Sequence, residues 1–207
     1  MRTIIIANGS LNQNIEISGD DLVIAANGGA KHCLQLGLVP DFVVGDLDSL
    51  SKKDLDILIT EGVKTIHYPT RKEYTDLELA LQKANDIGSS EVLIYGALGA
   101  RWDQTFANIL LPPIFPSLRI RIIDGPQELR ILRGGEEINL SGKSGDIISL
   151  IPLTNSVIGI TTKGLEYKLE NEDLQFGHTR GVSNVLNGES ATIKSEEGLL
   201  LCVMIRR

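Results

Sequence analysis

The chain has 207 residues, 42% hydrophobic and 23% charged, the balance of an ordinary globular protein with room for one large domain or two small ones. A formal net charge of −7 argues against a nucleic-acid partner, which would call for a basic face. Two cysteines exclude a disulfide scaffold, and no stretch approaches the ~18 apolar residues of a membrane span.

Residues 3–7 read as a first strand, too short an apolar run for a secretory leader. Cys33 and Cys202 sit in apolar runs and are expected to be buried, reduced thiols in a cytoplasmic protein. Residues 22–26 form a second strand. A short helix over 30–36 follows, which Gly37 is placed to stop. A strand at 42–44 leads into Gly45-Asp46-Leu47-Asp48-Ser49. Ser51 caps a helix running to about 61, with Leu55, Leu58 and Ile59 on one face. Thr75 caps the next, with Leu77, Ala80, Leu81 and Ala84 at helical spacing. A strand at 92–95, a helix from 102 to about 111 ended by Pro112-Pro113, and a strand at 118–123 complete the alternation. This pattern predicts an α/β domain with a mostly parallel, layered sheet over residues 1–125.

After Asp124-Gly125-Pro126 the helical patterns stop. Seven short alternating runs follow, at 128–132, 136–140, 146–151, 157–162, 165–169, 190–194 and 199–205, with glycines between them. They predict an all-β sandwich over 126–207.

Four segments carry candidate chemistry, each at a strand end or helix start. Asp46 and Asp48 lie two apart after a strand and suit Mg²⁺, which takes hard oxygen ligands and leaves positions open for phosphate. Alone, such a pair is more often a polar loop with capping Asp residues, and it also fits a phosphatase or a nucleotide-sugar transferase. Arg71-Lys72-Glu73-Tyr74-Thr75-Asp76 joins positive charge, acid and a helix start, which favours phosphate. Asp76 is a candidate third metal ligand. Gly96-Ala97-Leu98-Gly99-Ala100-Arg101-Trp102-Asp103-Gln104 opens another helix. Its glycines admit a ligand close to the backbone, and Arg101 and Asp103 could clamp phosphate and orient a substrate. Asn27-Gly28-Gly29-Ala30 is a tight turn between strand and helix. Ser141-Gly142-Lys143-Ser144 ends like a phosphate-binding loop, but Glu137 stands where its first glycine should be, so it reads as a hairpin turn. Trp102 is expected to pack rather than to stack on a ligand.

In this order and spacing the pieces resemble the thiamine pyrophosphokinase family. That family has an Asp-Gly-Gly-Ala turn, Pro-Asp followed by Gly-Asp-Phe-Asp-Ser, a Lys-Asp-x-Thr-Asp-x-Glu segment, a Gly-Gly-Arg-x-Asp-His turn and a late Ser-Asn. The matching stretches are Asn27 to Ala30, Pro40-Asp41, Gly45 to Ser49, Lys72 to Glu78, Gly99 to Gln104 and Ser183-Asn184. The resemblance implies transfer of a diphosphoryl group from ATP to the hydroxyl of thiamine, giving thiamine diphosphate and AMP. It implies that Asp46, Asp48 and Asp76 hold Mg²⁺. Asn27, Gly28, Lys72, Thr75, Asp76 and Arg101 would bind the nucleotide, and Gly99, Asp103, Ser183 and Asn184 the thiamine. Asp46, Asp48, Asp76, Arg101 and Asp103 would form the catalytic set. In the family the Ser-Asn pair acts across a homodimer interface, so a homodimer is implied.

The chain departs from the family pattern at Asn27, Glu73, Ala100 and Gln104, which leaves other readings open. They are a pyrophosphokinase for another alcohol such as a hydroxymethylpterin, and a non-catalytic binder of nucleotide or thiamine diphosphate. A phosphatase with Asp46 as nucleophile fits less well, because Asp46 does not follow the first strand.

Overall fold

The computed structural model of this chain describes residues 1–99 and 101–207. The chain divides into two units, Met1–Gly125 and Pro126–Arg207.

In the first unit, runs of Ile, Val and Ala bury the inner strands on both faces, while the strand at one edge, Lys64–His67, stays largely exposed. The strands are β1 (Arg2–Ile6), β2 (Leu22–Ala26), β3 (Phe42–Gly45), β4 (Lys64–His67), β5 (Glu91–Tyr95) and β6 (Arg119–Asp124). They lie in the order β6-β5-β1-β2-β3-β4, and every registered pair is parallel. Parallel strands need crossovers, which the helices α1 (Gly29–Gln35), α2 (Lys52–Thr60), α3 (Asp76–Asp86) and α4 (Trp102–Leu110) help to supply. One core joins alternate strand residues (Ile4, Ile6, Val23, Ala25, Val43, Leu93) to Ala30 and Cys33 of α1 and Leu58 of α2. α3 buries Leu77, Ala80, Leu81 and Ala84 and packs on β1, β2 and β3.

The helix starts follow from local chemistry. Ser51 Oγ accepts from Asp54 N, and the Asp54 carboxylate accepts from Ser51 N, both at 3.1 Å. This reciprocal box satisfies donors that the first turn of α2 leaves free. Thr75 Oγ1 does the same for Glu78 N at 3.2 Å at the start of α3.

From β1 the chain steps outward through β2, β3 and β4, then returns to β5 on the other side of β1. That reversal opens a crevice beyond the carboxyl ends of β1 and β5, where ligands gather in open α/β sheets.

The second unit is all-β, as expected. Its strands are β7 (Gln127–Arg133), β8 (Glu137–Ser141), β9 (Ile147–Pro152), β10 (Ser156–Lys163), β11 (Glu172–Gln175), β12 (Asn184–Val185), β13 (Ser190–Lys194) and β14 (Leu199–Ile205). They form antiparallel sheets in the orders β12-β9-β14-β7 and β11-β10-β13-β8. Inward residues of both, such as Leu132, Ile148, Leu150 and Leu200 from one and Leu140, Ile160 and Ile193 from the other, share one core.

Four expectations from sequence are corrected. β4 was missed because it is an edge strand whose burial pattern shows no apolar alternation. Residues 165–169 are not a strand. Leu165 and Leu169 are buried, but the segment makes only an isolated bridge from Leu165 to Leu186, and Leu169 N bonds to Thr162 Oγ1 and Tyr167 N to Asn184 Oδ1, so side chains take up bonds that a continuous ladder would make. Residues 141–144 are no hairpin turn, since β8 pairs with β13 while β9 pairs with β12 and β14. Trp102 does not pack into the core and is 71% exposed. The departure at Ala100 lies outside the described residues. Cys33 and Cys202 are free and buried, and burial pushes both thiols up to about 12.

The long connection from β1 to β2 is tied down by Arg2, whose Nε donates to Asp21 Oδ1 at 2.7 Å and whose Nη2 donates to Asp21 Oδ2 at 2.5 Å. Hydrogen bonds from Arg2 hold the Asp21 carboxyl below its ordinary 3.8. A lowered folded-state pKa gives stability that is present above the unfolded value and is lost as pH falls through the folded one. Urea unfolding from neutral pH down to about pH 3 should therefore show an acid-dependent loss that is smaller in Asp21→Asn. An identical acid dependence in the two proteins would contradict this role.

Candidate active site

Three carboxylates from two elements converge on one side-chain amide. β2 ends at Ala26, and Asn27 follows with φ 43°, a left-handed conformation that Asn tolerates better than most residues. Its backbone N–H donates to Val44 O at 2.8 Å, which fixes it beside the end of β3. Its Nδ2 donates to Asp46 Oδ1 at 2.8 Å, Asp76 Oδ2 at 3.0 Å and Asp48 Oδ1 at 3.1 Å. Lys72 completes the group, with Nζ 2.8 Å from Asp76 Oδ1 and 3.7 Å from Asp46 Oδ2. Side-chain exposure is only 8% at Asp46 and 12% at Lys72. Three carboxylates with one ammonium leave excess negative charge, sheltered at Asp46 and open to solvent at Asp48.

The backbone makes the convergence possible. Gly45 has φ 148°, and a Cβ there would stand 2.9 Å from both Asn27 Cβ and Asp76 Oδ1. Only glycine fits where β3 and the start of α3 approach this closely. Leu47 has φ 61°, a turn between Asp46 and Asp48. Above all, the hydrogen bond that the Asn27 amide donates holds the Asp48 carboxyl below its ordinary value. Asp76 lies in the first turn of α3, where the helix dipole favours negative charge.

The cluster borders a cavity of 540 Å³ at the crevice beyond β1 and β5, lined among others by Asn27, Thr75, Asp76, Gly99 and Arg101. Two contributors were not singled out from the sequence. One is Asn8-Gly9-Ser10, directly after β1. Gly9 lies so close to Leu98 O that an added Cβ would come within 2.3 Å, and Gly9 O meets His32 Nε2 at 2.9 Å. The other is buried Asn108, which donates to Ala97 O at 2.7 Å. The turn residues after the first strand were the available signal for the former. Nothing in the sequence marked Asn108.

The remaining predicted residues stand outside the cluster. Gly28 is the N-cap of α1. Arg101 and Asp103 pair with each other at 2.5 Å, with side chains 72% and 63% exposed. The Arg101 guanidinium holds the Asp103 carboxyl below its usual range. Ser183 and Asn184 belong to the second unit. Ser183 has φ 61° and is exposed, while Asn184 is 7% exposed. The Asn184 side chain accepts from Tyr167 N and donates to Tyr167 O at 2.6 Å, so it braces the neighbouring turn.

Hard oxygen donors in excess of the local positive charge fit a divalent cation. Among the described residues no group of three His, Cys, Asp or Glu side chains stands ready to ligate one. Here the carboxylates instead close on the Asn27 amide, whose Oδ1 is buried without a hydrogen-bond partner.

An α/β unit with an acidic cluster and a cavity at its switch point, followed by an all-β unit, defines a two-part architecture. Both parts match one family. Residues 14–122 match the thiamin pyrophosphokinase catalytic domain, and residues 136–200 match the thiamin pyrophosphokinase vitamin B1 binding domain. The chain is 28% identical over 211 residues to the thiamine pyrophosphokinase of Bacillus subtilis, covering 98% of each protein. It superposes on a crystal structure of that Bacillus subtilis enzyme with TM-score 0.89 and 25% identity, covering 100% of this chain and 99% of the other. The thiamin pyrophosphokinase of Geobacillus thermodenitrificans gives TM-score 0.88 and 26% identity, covering 100% and 98%. The chain belongs to the thiamin pyrophosphokinase family.

If Gly45 sets the approach of Asp76 to Asn27, Gly45→Ala should cost about 1–3 kcal/mol of stability through strain. Thermal unfolding measures it, and an unchanged melting temperature would contradict the close approach.

Proposed function

We infer that this protein is a Mg²⁺-dependent thiamine pyrophosphokinase that moves the diphosphoryl group of ATP onto the thiamine hydroxyl. The observation that carries this reading is the convergence of Asp46, Asp48 and Asp76 on Asn27 beside Lys72, with Asn27 and Asp76 lining the cavity. The family match to both halves of the chain disfavours the pterin and non-catalytic alternatives, because both matching domains are named for thiamin or vitamin B1.

In the reaction the thiamine hydroxyl oxygen bonds to the β-phosphorus. The bond from that phosphorus to the oxygen bridging it to the α-phosphorus breaks, AMP leaves with that oxygen, and the hydroxyl proton is released to water. Bound Mg²⁺ would be held by Asp46, Asp48 and Asp76 and would offset the charge of the polyphosphate. The protein's own part is positioning and electrostatics. Lys72, fixed by two carboxylates, presents one positive charge to the phosphates. Gly28 and Thr75 place the starts of α1 and α3, whose dipoles favour anions. The Arg101–Asp103 pair is exposed, so its mutual attraction is weak and Arg101 can turn to a phosphate at little cost. Asp103 stays ionised beside that guanidinium, which suits holding the hydroxyl by accepting its hydrogen bond better than removing its proton. Gly99 leaves room for substrate close to the backbone. Ser183, exposed on a left-handed turn, would meet the pyrimidine, with Asn184 shaping that turn through Tyr167.

The reading includes a homodimer in the cytoplasm. A second copy is supported by an exposed apolar stripe, Trp102, Phe106 and Leu110 at every fourth residue of α4, continued by Ile114. Mass in solution should be that of a dimer, and Phe106→Asp should shift it toward the monomer. A monomeric wild-type protein would contradict this part of the reading.

Incubation with Mg-ATP and thiamine should release AMP in step with thiamine diphosphate. ADP, or phosphate released without thiamine, would contradict diphosphoryl transfer. Asp48 is exposed, so Asp48→Asn should stay folded while turnover falls by about 10²-fold or more. Unchanged turnover would remove Asp48 from the site.

A further inference from the structure

Asn27 lies at the centre of the acidic cluster, yet its bonding there is lopsided. Its Nδ2 has two hydrogens and three carboxylate oxygens within 3.1 Å. Its Oδ1, on a residue only 6% exposed, has no hydrogen-bond partner. A buried carbonyl oxygen without a partner normally costs about 1–3 kcal/mol, and here it accompanies an over-subscribed NH₂ group. The electrostatics explain this orientation. With the carboxylates alone, the amide must present its positive end to them. Turned the other way, Oδ1 would face three anionic oxygens.

We propose that the Asn27 amide is a built-in cation surrogate that holds the three carboxylates together in the metal-free protein and turns about its Cβ–Cγ bond when a divalent cation enters, presenting Oδ1 as a further oxygen donor. The two ends of an amide are nearly the same size, so the turn exchanges NH₂ for C=O without moving the backbone. A cation among the carboxylates reverses the preference, because the NH₂ end is then repelled and the oxygen attracted. One residue thus serves both states. It relieves carboxylate repulsion without the metal and adds a hard oxygen with it. An aspartate at this position would supply oxygen in both states and have no donor for the empty one. The inference rests on the metal reading given above and concerns how this chain manages the empty site.

The positive φ of Asn27 chooses the variants, since Asp and Gly are among the residues that best tolerate it. The full chain, Asn27→Asp and Asn27→Gly are melted in EDTA and in MgCl₂ without nucleotide, and their Mg²⁺ affinities are measured by calorimetry. In EDTA, Asn27→Asp should melt below the wild type, because four carboxylates then crowd one point. Mg²⁺ should close or reverse that gap, and Asn27→Asp should bind Mg²⁺ about tenfold more tightly. Asn27→Gly should bind it about tenfold more weakly, in the range seen when a group supporting a metal site is lost. Asn27→Asp melting lower by the same interval with and without Mg²⁺ would overturn the proposal, as would Asn27→Gly binding Mg²⁺ like the wild type. In both cases the wild type still binds Mg²⁺, so the metal reading survives. No Mg²⁺ binding by any of the three proteins would overturn the metal reading and this inference with it.

Discussion

Like charges separate unless something holds them, and Asp46, Asp48 and Asp76 are all held within hydrogen-bonding distance of one nitrogen. The Asn27 amide supplies that nitrogen, and Lys72 supplies a formal positive charge paired with Asp46 and Asp76. The arrangement is maintained by the sheet behind it. Asn27 is anchored to Val44 through its backbone, Gly45 removes the side chain that would block Asp76, and Thr75 fixes the first turn of α3. Loosening any of these frees the carboxylates to move apart into solvent.

The crevice supplies what the cluster lacks. The reversal of strand order between β1 and β5 leaves their following loops splayed, and the cavity lies between them. A polyphosphate there would find helix starts, a lysine and the exposed Arg101. Such a site speeds reaction by holding charged groups in place, without covalent chemistry of its own. In the second unit, turns are fixed by side-chain braces such as Asn184 on Tyr167, which leave Ser183 and the Tyr167 ring toward solvent.

Much of this was legible in the sequence for identifiable reasons. Ser51 and Thr75 are strong caps, so the starts of α2 and α3 fell where expected. The doubly buried strands read as continuous apolar runs, and the break in texture after Asp124 coincided with the loss of helical spacing. β4, β11 and β12 escaped notice because each is short and buries few or no apolar residues. Residues 165–169 misled because their alternating apolar pattern is not matched by burial: Leu165 and Leu169 are buried, but Tyr167 between them is exposed. Asp46, Asp48 and Asp76 were visible as motifs. Their meeting on Asn27 was not, because it depends on β2 and β3 being neighbours and on α3 returning over them. From the sequence, Asn27 stood out as part of a turn expected to bind the nucleotide and as a departure from an acidic family position, whereas in the fold it is the group the carboxylates share.

The central claim is that these three carboxylates form the metal-nucleotide site. Crystals grown with Mn²⁺ and a non-hydrolysable ATP analogue test it most directly, because Mn²⁺ can be located by its anomalous scattering. The account predicts an anomalous peak between Asp46, Asp48 and Asp76 with the polyphosphate reaching from it into the cavity. A peak elsewhere with the Asn27 amide still closed on the three carboxylates, or a nucleotide bound with no metal between them, would contradict it.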